Sequence, residues 1–104
     1  MIQLRCKRLT GTAKLPTKAH GTDAGWDLYA DETVYPGMFS DVRNIIGTGI
    51  SLEIPEGYYG KIECRSSLAV KYGMQVLAGV VDAGYRDELK VVFKIGFHFQ
   101  SVNH

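Results

Sequence analysis

The chain is predicted to fold as a single all-β domain over residues 1–104, jelly-roll-like, a barrel or sandwich carrying one short helix. Three observations lead there: apolar residues recur with a period of two, Pro/Gly turn signals interrupt them at short intervals, and one stretch has helical character. At 104 residues, 45% apolar and 22% charged, the composition is that of an ordinary globular domain. A domain of this size buries only roughly 60–68% of the surface that its unfolded chain exposes, so an assembly covering more is plausible.

The elements follow in order. Ile2, Leu4 and Cys6 alternate with Gln3, Arg5 and Lys7, the pattern of a half-buried strand. Ala24, Trp26, Leu28 and Ala30 alternate with Gly25, Asp27 and Tyr29 and predict a second strand, buried on one face. Pro36-Gly37 and Pro55-Glu56-Gly57 read as turns. Between them Ile50, Leu52 and Ile54 alternate with Ser51 and Glu53, and Tyr58 to Cys64 reads as the return strand of a hairpin. Ser66 or Ser67 is placed to N-cap a helix through Leu68–Lys71, with Gly73 as its left-handed stop. Leu89, Val91, Phe93, Ile95, Phe97 and Phe99 form the longest alternating row. Eleven extended residues would span roughly 36 Å, too long for so small a domain, so a bend is expected near Gly96.

Charge and motif content exclude several classes. Twelve bases against eleven acids leave a net charge of +1, which argues against a protein built to bind nucleic acid or an anionic membrane. Residues 1–20 hold five bases and no acid, a solvated face or, less simply, a patch that attracts anions. No apolar run approaches a membrane span, and no apolar block follows the basic N-terminus, so neither span nor signal peptide is read. Cys6 and Cys64 are too few for a disulfide scaffold, which makes a cytoplasmic-type setting the expectation, or a host-cell interior for a viral source. His20, His98 and His104 are scattered and lack zinc-site spacing.

Three clusters bear on chemistry. Ala24 to Ala30 sets Asp27 on the polar face of an apolar strand; Arg65-Ser66-Ser67-Leu68-Ala69 puts a guanidinium and two hydroxyls at a helix start, which suits a phosphate chain. Gly79 to Glu88 combines glycines that permit close backbone approach with Asp82 and Tyr85. Each has a plainer alternative: Asp27 as a turn cap, Arg65-Ser66-Ser67 as a simple helix cap, Asp82 as the first residue of an Asx-type turn.

Taken in order, the clusters resemble the motifs of the dUTP pyrophosphatase (dUTPase) family. Ala24 to Ala30 matches a first motif A-G-x-D-L-x-A; Arg65 to Ala69 with Gly73 matches a second, R-S-[GS]-L-A; and Ala78 to Glu88 matches a third, A-G-V-[IV]-D-x-x-Y-R-x-E. The resemblance covers residues 14 to about 93, beginning at Lys14-Leu15-Pro16. It implies a trimeric all-β enzyme hydrolysing dUTP to dUMP and pyrophosphate with Mg²⁺, in sites completed by different subunits. Asp82 would activate water as general base, while Arg65, Ser66 and Ser67 would hold phosphate oxygens. Asp27 would hold Mg²⁺ through water. Tyr85 would pack on the deoxyribose and exclude a 2′-hydroxyl, and the backbone of Gly79, Val80, Val81 and Lys90 would read the uracil edge. In such a trimer the odd-numbered row from Leu89 to Phe99 is expected to be exposed and to find partners.

Departures are few before residue 93. Gly84 and Asp87 stand where the family often has Asp and Gly, Val76 where some members have a uracil-contacting Asn, and Cys64 where Gly or Pro is common. Residues 94–104 match neither the fourth motif, G-D-R-x-A-Q, nor the glycine-rich closing tail. These 104 residues assayed alone are therefore expected to bind dUTP or dUMP selectively over dCTP and to turn dUTP over slowly. Two other functions fit the same residues: a catalytically weak nucleotide-binding or regulatory protein, and a relative of dCTP deaminase, which shares the R-S-S-L segment but tends to carry Phe at the position of Tyr85.

Overall fold

The computed structural model describes residues 4–34 and 39–96. Among these, strands β1 (Arg5–Arg8), β2 (Asn44–Gly47), β3 (Ile50–Glu53), β4 (Gly60–Lys61), β5 (Gln75–Ala78), β6 (Val80–Val81) and β7 (Lys90–Lys94) are accompanied by one helix, α1 (Ser66–Tyr72), none of whose residues is buried. All pairings are antiparallel and most join strands distant in sequence. β1 pairs with β3, β4 with β6, and β7 lies between β2 and β5. This is the all-β, jelly-roll-like arrangement that the alternation predicts.

Alternation sets the packing. Ile50 and Ile54 bury their side chains with Ala13, Val81 and Leu89, and half-buried Cys6, Leu28 and Leu52 close over them. Full burial of each large aliphatic side chain stabilises by about 1.5–3 kcal/mol before entropy is charged against it. A second cluster gathers Ile46, Phe93 and Ile95 with Phe39, Tyr72 and Met74. Phe39 meets Phe93 edge to face, with ring centroids 5.0 Å apart.

Five expectations are corrected. β3 and β4 are not a hairpin: the Tyr58 N–H closes the predicted turn on the Pro55 carbonyl at 3.1 Å, but the chain then joins β6 instead of returning along β3. Pro55 has no N–H to extend a ladder, and β3 has β1 on one edge while the Leu89 N–H donates to its Ile50 carbonyl on the other at 2.8 Å. Ala24–Ala30 is not a strand; a single bridge joins Asp27 to Thr17, and Trp26 is 58% exposed under the Lys18 ammonium. The residue preceding α1 is Arg65, in extended conformation, and no side chain caps the helix, so neither Ser66 nor Ser67 serves as N-cap. Leu4 is exposed although Cys6 is half-buried. Finally, Leu89, Phe93 and Ile95 are 3%, 2% and 5% exposed, so that row packs within its own chain.

Other expectations hold. Gly73 stops α1 at φ 63°, its N–H donating to the Ala69 carbonyl. β7 ends at Lys94, before Gly96, whose N–H donates to the Gly73 carbonyl at 3.1 Å. Pro36-Gly37, Ile2, Phe97 and Phe99 lie outside the described residues. No helix among the described residues is long and apolar enough to cross a membrane.

Candidate active site

The third cluster is built on a change of sheet. β5 runs beside β7 until Ala78 opposite Val92, after an irregularity between Val76 and Ala78. The chain then crosses to β4 as β6. Gly79 is the crossing point. The Ile62 N–H donates to its carbonyl at 2.7 Å, and a Cβ on Gly79 would lie 2.7 Å from the Ile62 oxygen. The close approach expected here is therefore made to β4. No cis peptide occurs among the described residues, so the Val80 N–H, on the same peptide unit, points away from β4.

A matching amide lies on β7. Thr48 donates both its N–H (3.1 Å) and its hydroxyl (2.7 Å) to the Leu89 carbonyl. The Lys90 N–H, on the same peptide, accordingly points away from β2. Between these two amides hangs the loop that carries Asp82 and Tyr85. Its turn is closed by the Tyr85 N–H on the Asp82 carbonyl at 3.1 Å. The carboxylate of Asp82 takes no part, so the Asx-type reading is excluded, and the side chain stands exposed. Tyr85 is 40% exposed while its hydroxyl donates to the Glu88 carbonyl at 2.7 Å. Val81 turns inward to the core.

The second cluster presents Arg65, Ser66 and Ser67 at the exposed start of α1, with both hydroxyls free of any capping bond. Burial pushes the neighbouring Cys64 thiol up, which keeps it protonated and a poor nucleophile. In the first cluster Asp27 is half-buried and held by two backbone bonds to Thr17, of 2.7 and 3.2 Å. Its carboxylate makes no hydrogen bond among the described residues. A fixed, hard oxygen donor of this kind suits a water-bridged Mg²⁺.

The cavities divide these residues. An apolar cleft of about 600 Å³ takes Leu28 and Tyr29 from the first cluster and Leu68 from the second, against Phe39, Tyr72 and Phe93. An opening of about 510 Å³ brings Gly79 and Val80 beside Cys64 and Lys61, and one of about 310 Å³ brings Lys90 beside Asp31 and Glu88. None of the three holds Asp27, Arg65 or Asp82. Asp31 escapes sequence reasoning altogether, and Glu88 enters it only as the last residue of the third motif. Asp31 accepts the Thr10 and Thr12 hydroxyls at 2.7 Å each, which holds its carboxyl below the usual range. Glu88 accepts the Gly49 N–H at 3.0 Å. Both contacts bridge distant segments, and no local spacing announces them.

Comparison with known proteins decides the family. The dUTPase family model matches residues 11–96. The chain belongs to the dUTPase family. It is 43% identical to the deoxyuridine 5'-triphosphate nucleotidohydrolase of Paramecium bursaria Chlorella virus 1, over 88% of this chain and 64% of the relative. It is 46% identical to that of Saccharomyces cerevisiae, over 88% of this chain and 58% of the relative. The dUTPase of phage phi11 of S. aureus, in which a structural Mg(II) ion is coordinated, superposes with a TM-score of 0.80 at 33% identity, over 89% of this chain and 60% of that one. The Staphylococcus bacteriophage 80alpha dUTPase with dUpNHpp gives 0.80 at 34% identity, over 90% and 54%. This dUTPase-family chain thus spans about three fifths of the length of the relatives it matches.

Proposed function

We propose that the chain binds dUTP at the loop between Gly79 and Lys90 and takes part in its Mg²⁺-dependent hydrolysis to dUMP and pyrophosphate. The observation that carries this reading is the pair of backbone amides, Val80 and Lys90, turned away from their sheet partners on either side of Asp82 and Tyr85. Backbone amides fixed by a sheet are rigid donors. A base carrying acceptors in the wrong places leaves them unpaired, which disfavours cytosine. The Tyr85 ring, tethered through its hydroxyl, offers a flat wall for a deoxyribose and no room for a 2′-hydroxyl.

In this mechanism Asp82 accepts a proton from the attacking water, and its exposure leaves the carboxylate reachable. Arg65, Ser66 and Ser67 bind phosphate oxygens and counter the charge that develops as the phosphoanhydride breaks. Asp27 would hold Mg²⁺ through water, and the bound ion would withdraw charge from the triphosphate.

The active form is proposed to be a homotrimer. Support comes from the scatter of these groups, since the named cavities of one chain collect neither Arg65 with Asp82 nor Asp27 with either. Exposed apolar side chains such as Val42, Val70 and Val80, at 75%, 79% and 68%, fit contacts with further copies.

Pyrophosphate release from dUTP with Mg²⁺, run against dCTP, dTTP and UTP and alongside light scattering, tests the proposal. Selective release from dUTP by a trimer is expected. Ammonia from dCTP would overturn it in favour of deamination, selective binding without turnover would reduce it to a nucleotide-binding protein, and a monomer at micromolar concentration would refute the assembly.

A further inference from the structure

Glu88 closes the loop that carries Asp82 and Tyr85, and it does so with both its backbone and its side chain. Its carbonyl accepts the Tyr85 hydroxyl at 2.7 Å. Its carboxylate accepts the Gly49 N–H at 3.0 Å, where β2 passes into β3. Gly47 makes room for that carboxylate. A Cβ on Gly47 would stand 2.3 Å from Glu88 Oε2, inside any tolerable contact. Gly49, at φ 70°, is wedged from the other side, where a Cβ would meet Asp31 Oδ2 at 2.6 Å and the Ala13 Cβ at 2.8 Å. Asp31 is in turn held by Thr10 and Thr12. A continuous line of contacts therefore runs from the Tyr85 hydroxyl through Glu88 and Gly49 to Asp31, four residues beyond Asp27.

Ala83 packs half-buried on the core, but among the described residues the other hydrogen bonds of the loop are made within it. The Tyr85 N–H reaches the Asp82 carbonyl, and the Arg86 guanidinium reaches the Ala83 and Tyr85 carbonyls. Such bonds set the loop's shape without fixing where its second half sits. Val81 and Ala83 place the first half against the core, and placement of the half that carries Tyr85 falls to Glu88 and to the backbone of Leu89 beside it.

We infer that Glu88 is a positioning residue: by anchoring its own backbone to Gly49 it fixes the height of the Tyr85 ring, and so sets how strongly the site rejects a ribose. This rests on the dUTP reading above. A wall excludes a hydroxyl only if it cannot retreat. A ring free to shift by an ångström would admit the extra oxygen with little loss of affinity for the deoxy sugar.

The test is the ratio of dissociation constants for dUpNHpp and its ribonucleotide counterpart, measured by calorimetry on the full chain with Mg²⁺. The unaltered protein is expected to prefer the deoxy form on the order of a hundredfold. Glu88→Ala should lower that ratio below about tenfold, chiefly through tighter ribonucleotide binding, whereas Glu88→Gln, whose amide oxygen still accepts from Gly49, should keep it within about twofold. Glu56→Gln, on an exposed turn, is the control. Should Glu88→Ala fail to fold, Tyr85→Phe cuts the same tether at its other end and should lower the ratio likewise. An unchanged ratio in a folded Glu88→Ala, or in Tyr85→Phe if that replaces it, overturns the inference and leaves the dUTP reading intact. No preference in the unaltered protein overturns both.

Discussion

Gly79 and Ile62 approach so closely that the amide of one donates to the carbonyl of the other at 2.7 Å, and no side chain fits between them. The Val80 half of the base-reading edge depends on that contact, because it turns the Val80 amide outward.

Gly79→Ala should therefore destabilise the fold and abolish nucleotide binding together. The clash is with backbone, which cannot swing aside, and overpacking of this kind costs about 1–3 kcal/mol. For a domain of this length each kcal/mol lowers Tm by roughly 4–8 °C. Gly21→Ala, with nothing within 4 Å of its Cβ, should leave Tm unchanged. Differential scanning calorimetry of the two variants checks the pair; equal Tm values would show that β4 and β6 can move apart freely.

Asp82→Asn should separate chemistry from structure. The turn is held by the Asp82 carbonyl, which the substitution keeps, so Tm and dUpNHpp affinity should hold. Turnover should fall by about 10²–10⁴-fold with the loss of the general base. A parental rate in pyrophosphate release would remove Asp82 from the mechanism.

Arg65→Ala is expected to weaken binding and rate alike, since a cation at the phosphates acts on ground and transition states. Its side chain makes no capping bond and is exposed, so the melting temperature should barely change. Ser66→Ala and Ser67→Ala should be equally silent in Tm, in contrast to the roughly 1 kcal/mol lost when a true N-cap hydroxyl is removed.

Acid titration should reveal Asp31. Its carboxyl is held below the ordinary value of 3.8 by hydrogen bonds first from Thr10 and then from Thr12. A depressed folded pKa means that this contribution to stability is complete above the unfolded value and fades as pH falls through the folded one. Asp31→Asn should thus show a flatter dependence of Tm on pH below about 4 than the parent. Parallel curves would show that the two threonine bonds are not kept in solution.

How far the sequence discloses this molecule depends on the range of the interaction. Alternation at Ile50, Ile54, Leu89 and Phe93 identifies core positions because the pleat repeats every two residues wherever a strand is formed. The left-handed stop at Gly73 is equally local. The partner of a strand is not: Pro55-Glu56-Gly57 specifies a turn, yet β4 crosses to β6 because β1 and the Leu89 amide take the two edges of β3. For the same reason the row from Leu89 to Ile95 was expected on a free surface and lies inside. At the site, Asp27, Arg65, Asp82 and Tyr85 stand out through motif order, while Glu88 and Asp31 matter through Gly49, reached only when segments some twenty to forty residues apart meet.

The strand order also has a consequence for synthesis on the ribosome. β7 is the central strand of its sheet and, of the described strands, the last to be made, so β2 and β5, which do not pair with each other, must wait for it. At the usual pace of 5–20 residues per second, β2 remains without its neighbour for roughly two to nine seconds after it is made. Throughout that interval Ile46, a core residue once folding is complete, is carried on an open edge of a nascent chain. A pause engineered between the codons of Tyr72 and Lys90 would lengthen the exposure, and soluble yield in the cell would register it before any property of the finished protein did.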